Sequence, residues 1–385
     1  MIDVSRSFLD LDLAELHHRK GSKWSRYPHE ILPAWVADMD YPLAPCIEDA
    51  ILNAVRRGDI GYPPMTTAIP NVFAARANQR WNWTVAPERV HLMPDVVQSI
   101  ELLIELFSSP GDGVLITTPV YPPFLNVTGG LNRRIIESVL LPDGRLDEDN
   151  LRAAFAKERP RILLLCSPHN PCGHVFRRHE LELITSLALE HHALIISDEI
   201  HAELVLPGFT HIPTASLSRE VADATITVTS ASKPFNIAGL RCAQVISGSA
   251  ELHTRVTEHL AIAKDAVGSL GIIATLAAWT PEGDEWLAAC LTQIEANMRR
   301  VSAWAAIHSI GFHPPEATYL AWLDFRPVDL GPHPQQWLLH HAHVALNPGS
   351  DFGRPGHGHA RLNVATSPEI LGQILGRMSN GLAER

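Results

Sequence analysis

Cysteine is scarce in this chain. It has five thiols in 385 residues, Cys46, Cys166, Cys172, Cys242 and Cys290, an odd number at wide spacings with no C-x-x-C pair. That usage argues against a disulfide framework or a cysteine zinc site and is read as buried or incidental free thiols. Positive charge is short as well, with 31 Lys and Arg against 42 Asp and Glu and a net charge of −11. A chain with that balance lacks the basic footprint of a nucleic-acid or anionic-membrane binder, so the expected partner is a small molecule. Long apolar runs are missing too: none approaches the roughly 20 residues that cross a bilayer. The first residues carry an acid early and show no basic segment followed by an apolar one. The expectation is a soluble, cytoplasmic protein without a signal peptide.

What is present is enough to build a large core. Hydrophobic residues make up 46% of the chain and charged residues 19%, and at about 150 residues per domain the length suggests two or three domains. The 21 histidines cluster closest at His341-x-His343 and His357-x-His359. H-x-H without a spaced third ligand is poor support for a metal, and none is expected. Helical spacing predicts helices over 45–57, 67–81, 96–108, 147–157 and 178–191. Short apolar runs bounded by Gly, Pro, Asp or Ser predict strands over 114–117, 161–166, 193–197, 225–229 and 243–247. Strands of that kind are covered on both faces, as in a mostly parallel sheet between helices. Beyond Pro281 the pattern becomes one long helix, 284–309, and a strand, 319–325. The chain therefore reads as an α/β protein with a large domain over 45–280 and a smaller α+β domain formed by 281–385 with the N-terminal segment 1–44.

Four segments place polar or aromatic groups just after predicted strands, where ligands sit in open α/β sheets. The first, Thr117-Thr-Pro-Val-Tyr-Pro-Pro-Phe124, presents Tyr121 in a stiff proline-rich turn, suited to stacking on a planar ligand. The second, Cys166-Ser-Pro-His-Asn-Pro-Cys-Gly173, brackets Asn170 with prolines. The third, Ser197-Asp-Glu-Ile-His201, puts Asp198 where a buried strand ends, and a carboxylate there stays ionised only beside a cationic group. The fourth runs from Thr229 to Arg241 and sets Lys233 among small hydroxyl residues, in a crowded pocket where a lysine loses its proton readily and becomes a nucleophile. Asn170, Asp198 and Lys233 are 28 and 35 residues apart, each interval long enough for a helix and the next strand. This spacing resembles that of fold-type I pyridoxal phosphate enzymes, in which a lysine holds the cofactor aldehyde and a carboxylate pairs with the pyridine nitrogen.

The strings Pro33-Ala-Trp-Val-Ala-Asp-Met-Asp40, Pro119-Val-Tyr-Pro-Pro-Phe124, Leu165-Cys-Ser-Pro-His-Asn-Pro171, Asp198-Glu-Ile-His201, Ser232-Lys-Pro-Phe-Asn-Ile-Ala-Gly-Leu240, Ala317-Thr-Tyr-Leu-Ala-Trp-Leu-Asp324 and Arg361-Leu-Asn363 resemble the MalY/PatB family of carbon–sulfur β-lyases, and they span nearly the whole chain. General aminotransferases of this fold usually carry Tyr in place of His201. The resemblance implies a seven-stranded, mostly parallel sheet and pyridoxal 5'-phosphate as cofactor. It assigns Lys233 to the cofactor aldehyde and to proton transfer, Asp198 to the pyridine nitrogen, Asn170 to the phenolic oxygen with His201 nearby, and Tyr121 to stacking on the ring. Arg361, placed just before a strand, would take the substrate α-carboxylate, since a guanidinium fork matches a carboxylate bidentately. Tyr62 would reach across a homodimer interface to the partner's cofactor phosphate.

The same resemblance implies α,β-elimination on L-cystathionine or a related cysteine S-conjugate, giving thiol, pyruvate and ammonia. An aminotransferase needs the same residues and is the alternative. The phosphate is expected on the helix that opens at Val96 and Val97, with Ser230, Ser232 and Arg241 as further donors. There the chain departs from the family: Asp95 stands where glycine is usual, so either its carboxylate points away or cofactor affinity is reduced. Ser167, Cys172, His174 and Pro234 replace the more usual Asn, Thr, Arg and Thr.

Overall fold

A computed structural model of the chain describes residues 7–63, 67–259 and 267–384. Strand β1 (Leu32–Pro33) belongs to the N-terminal segment, and β2 (Val90–Met93), β3 (Gly113–Thr118), β4 (Arg134–Val139), β5 (Ile162–Cys166), β6 (Leu194–Asp198), β7 (Thr225–Thr229) and β8 (Ala243–Ser247) form one seven-stranded sheet. Its order is β2-β8-β7-β6-β5-β3-β4, with β8 antiparallel to both neighbours and the other pairs parallel. Successive side chains of a strand point to opposite faces, and the core divides accordingly. Leu163, Leu165 and Ile195 pack on one face with Phe155, Leu181 and Ile184, while Leu164, Ile196 and Val228 pack on the other with Ile100 and Ile104.

The helices of eight residues or more among the described residues begin with α1 (Pro45–Arg57), α2 (Ala68–Trp81), α3 (Val96–Phe107), α4 (Pro122–Gly130), α5 (Glu148–Glu158) and α6 (Arg178–Glu190). They continue with α7 (Ala250–His259), α8 (Ser269–Ala278), α9 (Pro281–Ile307), α10 (Pro334–His341) and α11 (Pro368–Ala383). In α3 the residues Val96, Ile100, Leu103, Ile104 and Phe107 repeat at helical spacing and bury one stripe against the sheet. Pro122 and Pro123 are not a free turn: they form the first turn of α4, where a missing N–H costs nothing. The long helix α9 starts three residues before the expected 284, because Thr280 caps it and Pro281 fits its first position.

A second, antiparallel sheet has the order β12-β13-β10-β9, from β9 (Gly311–Phe312), β10 (Leu320–Asp324), β12 (Asn347–Pro348) and β13 (His359–Asn363). Strand β11 (Val344–Ala345) instead pairs in parallel with β1. The N-terminal segment thus lies on the C-terminal part of the chain, where Phe8 meets Tyr41 and Trp286 edge-on. Arg361 lies inside β13, opposite Trp322, rather than just before a strand as its sequence context suggested.

Candidate active site

The order of the large sheet sets β7, β6, β5 and β3 side by side, so the segments leaving their carboxyl ends converge. Between them lies a cavity of about 410 Å³, to which Val96, Val97, Tyr121, Asn170, Asp198, His201, Ser232, Lys233 and Arg241 all contribute. Three residues of the expected set lie elsewhere. Ser230 sits beneath the cavity, its hydroxyl donating to the Cys242 carbonyl at 2.7 Å and accepting the Ser232 N–H at 3.0 Å. Arg361 lies behind Asn170, and Tyr62 stands on the surface with 97% of its area exposed.

Lys233 donates from Nζ to the carbonyl of Ala37 at 2.9 Å, and the Tyr319 hydroxyl donates to the same oxygen at 2.9 Å. Burial pushes the Lys233 pKa down, with Asp38 and Asp198 opposing and Arg361 reinforcing the shift. Asp198 ends β6 and accepts one backbone N–H, from Ile200 at 3.0 Å. Burial raises its carboxyl to about 7; Glu199 adds to that shift, and the Ile200 N–H and Lys233 oppose it. The neighbouring acid faces the other way: Glu199 binds His211 and Ser197 through its side chain and takes the Thr214 N–H. Burial, then Lys233 and Arg361, lower His201 to about 3, which keeps its imidazole neutral, and its Nδ1 is buried without a partner.

Asn170 follows from the turn 169–174, where the Gly173 N–H closes onto the His169 carbonyl at 2.7 Å. Gly173 has φ +69°, and a Cβ there would stand 2.3 Å from Pro315 Cβ and 2.8 Å from the Ala317 oxygen, so only glycine fits. Arg361 donates from Nη1 to Asn170 Oδ1 at 3.0 Å and from Nη2 to the Trp35 carbonyl at 3.3 Å, with its guanidinium 4.9 Å from the Phe352 ring centroid. Its Nε is buried and unpartnered. Among the described residues it has no carboxylate partner within ion-pair distance.

Sequence reasoning missed Ala37, Tyr319 and Asn363 as parts of this site. Asn363 holds the strap 36–38 by donating to the carbonyls of Val36 at 2.8 Å and Asp38 at 2.6 Å. A carbonyl contact has no residue-type signature. The strings 33–40, 317–324 and 361–363 contained all three residues without giving them a role, and a further signal was that Arg361 and Asn363, two apart on a strand, share a face.

These features test the site for a pyridoxal phosphate group. An isolated buried carboxylate, a buried lysine, an unpartnered neutral imidazole nitrogen and an aromatic wall fit a cationic heteroaromatic ring carrying an aldehyde. A phosphate fits less well: Asp95 also lines the cavity, caps α3 by accepting the Gln98 N–H at 2.8 Å, and pairs with Arg241.

A mostly parallel sheet whose strand ends present this lysine, carboxylate and asparagine defines the aminotransferase-like fold of pyridoxal phosphate enzymes. The chain belongs to the family Aminotransferase class I and II, whose profile matches residues 37–378. It is 35% identical to cystathionine beta-lyase of Corynebacterium glutamicum, the match covering 96% of this chain and 99% of that one. It is 33% identical to cystathionine beta-lyase PatB of Bacillus subtilis, with 92% and 93% covered. The crystal structure of cystalysin from Treponema denticola, which contains a pyridoxal 5'-phosphate cofactor, superposes with a TM-score of 0.92 at 29% identity, over 98% of each chain.

Proposed function

We propose that this protein is a pyridoxal phosphate-dependent carbon–sulfur β-lyase that cleaves L-cystathionine or a related cysteine S-conjugate to thiol, pyruvate and ammonia. The observation that carries the reading is the convergence of Lys233, Asp198, Asn170, Tyr121 and His201 on one cavity, in a chain whose relatives include cystathionine beta-lyases. Bound through its aldehyde to Lys233, the cofactor supplies an electron sink for the charge that develops at the substrate Cα.

The residues divide the remaining work. Once the substrate amine had replaced it at the aldehyde carbon, Lys233 Nζ would be a free amine, its proton loosened by burial, and would take the proton from Cα. Asp198 would pair with the ring nitrogen and thereby be held as a carboxylate. Tyr121 would cover the ring. Asn170 uses its carbonyl oxygen on Arg361, so its NH2 group is the donor left for the phenolic oxygen. Arg361 receives the substrate carboxylate. Val96 and Val97 offer backbone N–H groups at the opening of α3, and Ser232 and Arg241 add donors, with Ser230 acting through Ser232. Loss of the sulfur substituent from Cβ then releases thiolate, and water completes the conversion to pyruvate and ammonia.

The reading also includes a cytoplasmic homodimer in which Tyr62 completes the partner's phosphate site, and a cofactor domain over 45–280 with a smaller domain from 1–44 and 281–385. Among the described residues, no helix is long and apolar enough to cross a membrane.

Incubating the purified protein and pyridoxal phosphate with L-cystathionine tests the activity. Thiol and pyruvate are expected in equal amounts, and Lys233→Ala abolishes both. Turnover that instead requires a keto acid and releases no pyruvate sinks the lyase reading and leaves the aminotransferase alternative.

A further inference from the structure

Of the residues lining the cavity, two are cationic, Lys233 and Arg241, and two are carboxylates, Asp198 and Asp95. The proposed chemistry uses Lys233 and Asp198. The other pair is self-satisfied: one Asp95 oxygen takes the Gln98 N–H at the start of α3, and the other takes Nη1 of Arg241. A helix N-terminus beside a guanidinium is what a phosphate group binds. Here Arg241 and one N–H of that helix end, from Gln98, already serve a carboxylate fixed in the chain. Asp95 is less exposed than its partner, 27% against 56%, and both line the cavity.

We propose that Asp95 is a built-in competitor of the cofactor phosphate, which makes the cofactor exchangeable and weakens discrimination between pyridoxal 5'-phosphate and pyridoxal. The proposal rests on the pyridoxal phosphate reading given above. When the phosphate enters, it either shares Arg241 and the helix end with the carboxylate or displaces it, and like charge opposes its binding in both cases. Pyridoxal has no phosphate and meets no such opposition.

Two substitutions separate charge from shape. Asp95→Asn keeps an equally good helix cap without the charge, and Asp95→Gly removes the side chain at little cost to the helix. The cofactor-free protein is titrated with pyridoxal 5'-phosphate and, separately, with pyridoxal, following the visible absorbance of the lysine-bound aldehyde. In both variants the Kd for pyridoxal 5'-phosphate is expected to fall about tenfold, roughly what one partly screened like charge contributes, while the Kd for pyridoxal changes by less than about twofold. Dilution of the loaded protein should show slower cofactor loss in the variants. A Kd ratio unchanged in both variants, or weaker binding of the phosphorylated form, overturns the proposal. If the wild type gives no more absorbance than Lys233→Ala with either compound, the cofactor reading itself fails, and that outcome is distinct from an unchanged ratio.

Discussion

Arg361 is buried yet remains a cation. Burial lowers its pKa only to about 10, with Tyr121 and Tyr319 opposing the shift, so it is charged at neutral pH. A buried charge without a counter-ion is costly, and in the proposed reading a substrate carboxylate arriving in its fork would relieve that cost. Arg361→Lys keeps the charge but loses the planar pair of donors. The expected outcome is a KM for L-cystathionine raised about 100-fold, the loss of roughly one charge-assisted hydrogen bond, with the visible absorbance of bound cofactor retained. Steady-state kinetics with an unchanged KM would remove Arg361 from substrate binding. At this scale much of the site was legible in sequence, because lysine, aspartate and asparagine at strand ends carry chemistry by residue type. The strap 36–38 was not, since Ala37 acts through its carbonyl and Asn363 through contacts more than three hundred residues away.

Among elements, the strands were legible where apolar runs met breakers: β7 and β8 keep their expected limits, and β3, β5 and β6 shift by one residue at one or both ends. Strand β4 was not, because it is a sheet edge whose Arg134, Ile135 and Glu137 are exposed and break the apolar run. Nor was α8, which is apolar almost all round and gives no helical stripe. The junction between the strand-end turn and the smaller sheet carries a titratable clamp. His174 meets Glu180, at the start of α6, at 2.9 Å and Glu316, just before β10, at 3.3 Å, and Arg177 also pairs with Glu316. Burial alone would lower the His174 pKa, but the two carboxylates prevail and raise it to about 8 from the ordinary 6.5. Its stabilising contribution is therefore complete below about pH 6.5 and is lost as the pH rises through about 8. Glu180 and Glu316, shifted down from 4.5 by that histidine and nearby N–H groups against the opposing effect of burial, contribute above about pH 4.5 and lose their share as the pH falls through their lowered values. Thermal unfolding of wild type and His174→Gln from pH 5 to 9 checks this. The variant should unfold at lower temperature at pH 6, by about 2 kcal/mol of stability, and the gap should close by pH 9. A gap that does not narrow would show that the charge on His174 is immaterial.

For the whole molecule, Tyr62 is the feature a single chain leaves unexplained: a large aromatic, almost fully exposed beside Ile60, which is 59% exposed. In the proposed dimer that surface is covered and the hydroxyl meets the neighbouring cofactor phosphate. Sedimentation should give twice the chain mass, and Tyr62→Phe should raise the Kd for pyridoxal phosphate about tenfold without changing that mass. A fully active monomer would withdraw the assignment. The pairing of β1 with β11 has a further consequence, in time. The ribosome makes Leu32 and Pro33 long before it makes Val344 and Ala345, and at about 5–20 residues per second the interval is on the order of tens of seconds. Until then the carbonyl that receives Lys233 and the backbone that receives Arg361 have no strand to hold them. The nascent chain can fold its large sheet early, but the candidate site comes together only after Val344 and Ala345 have been made.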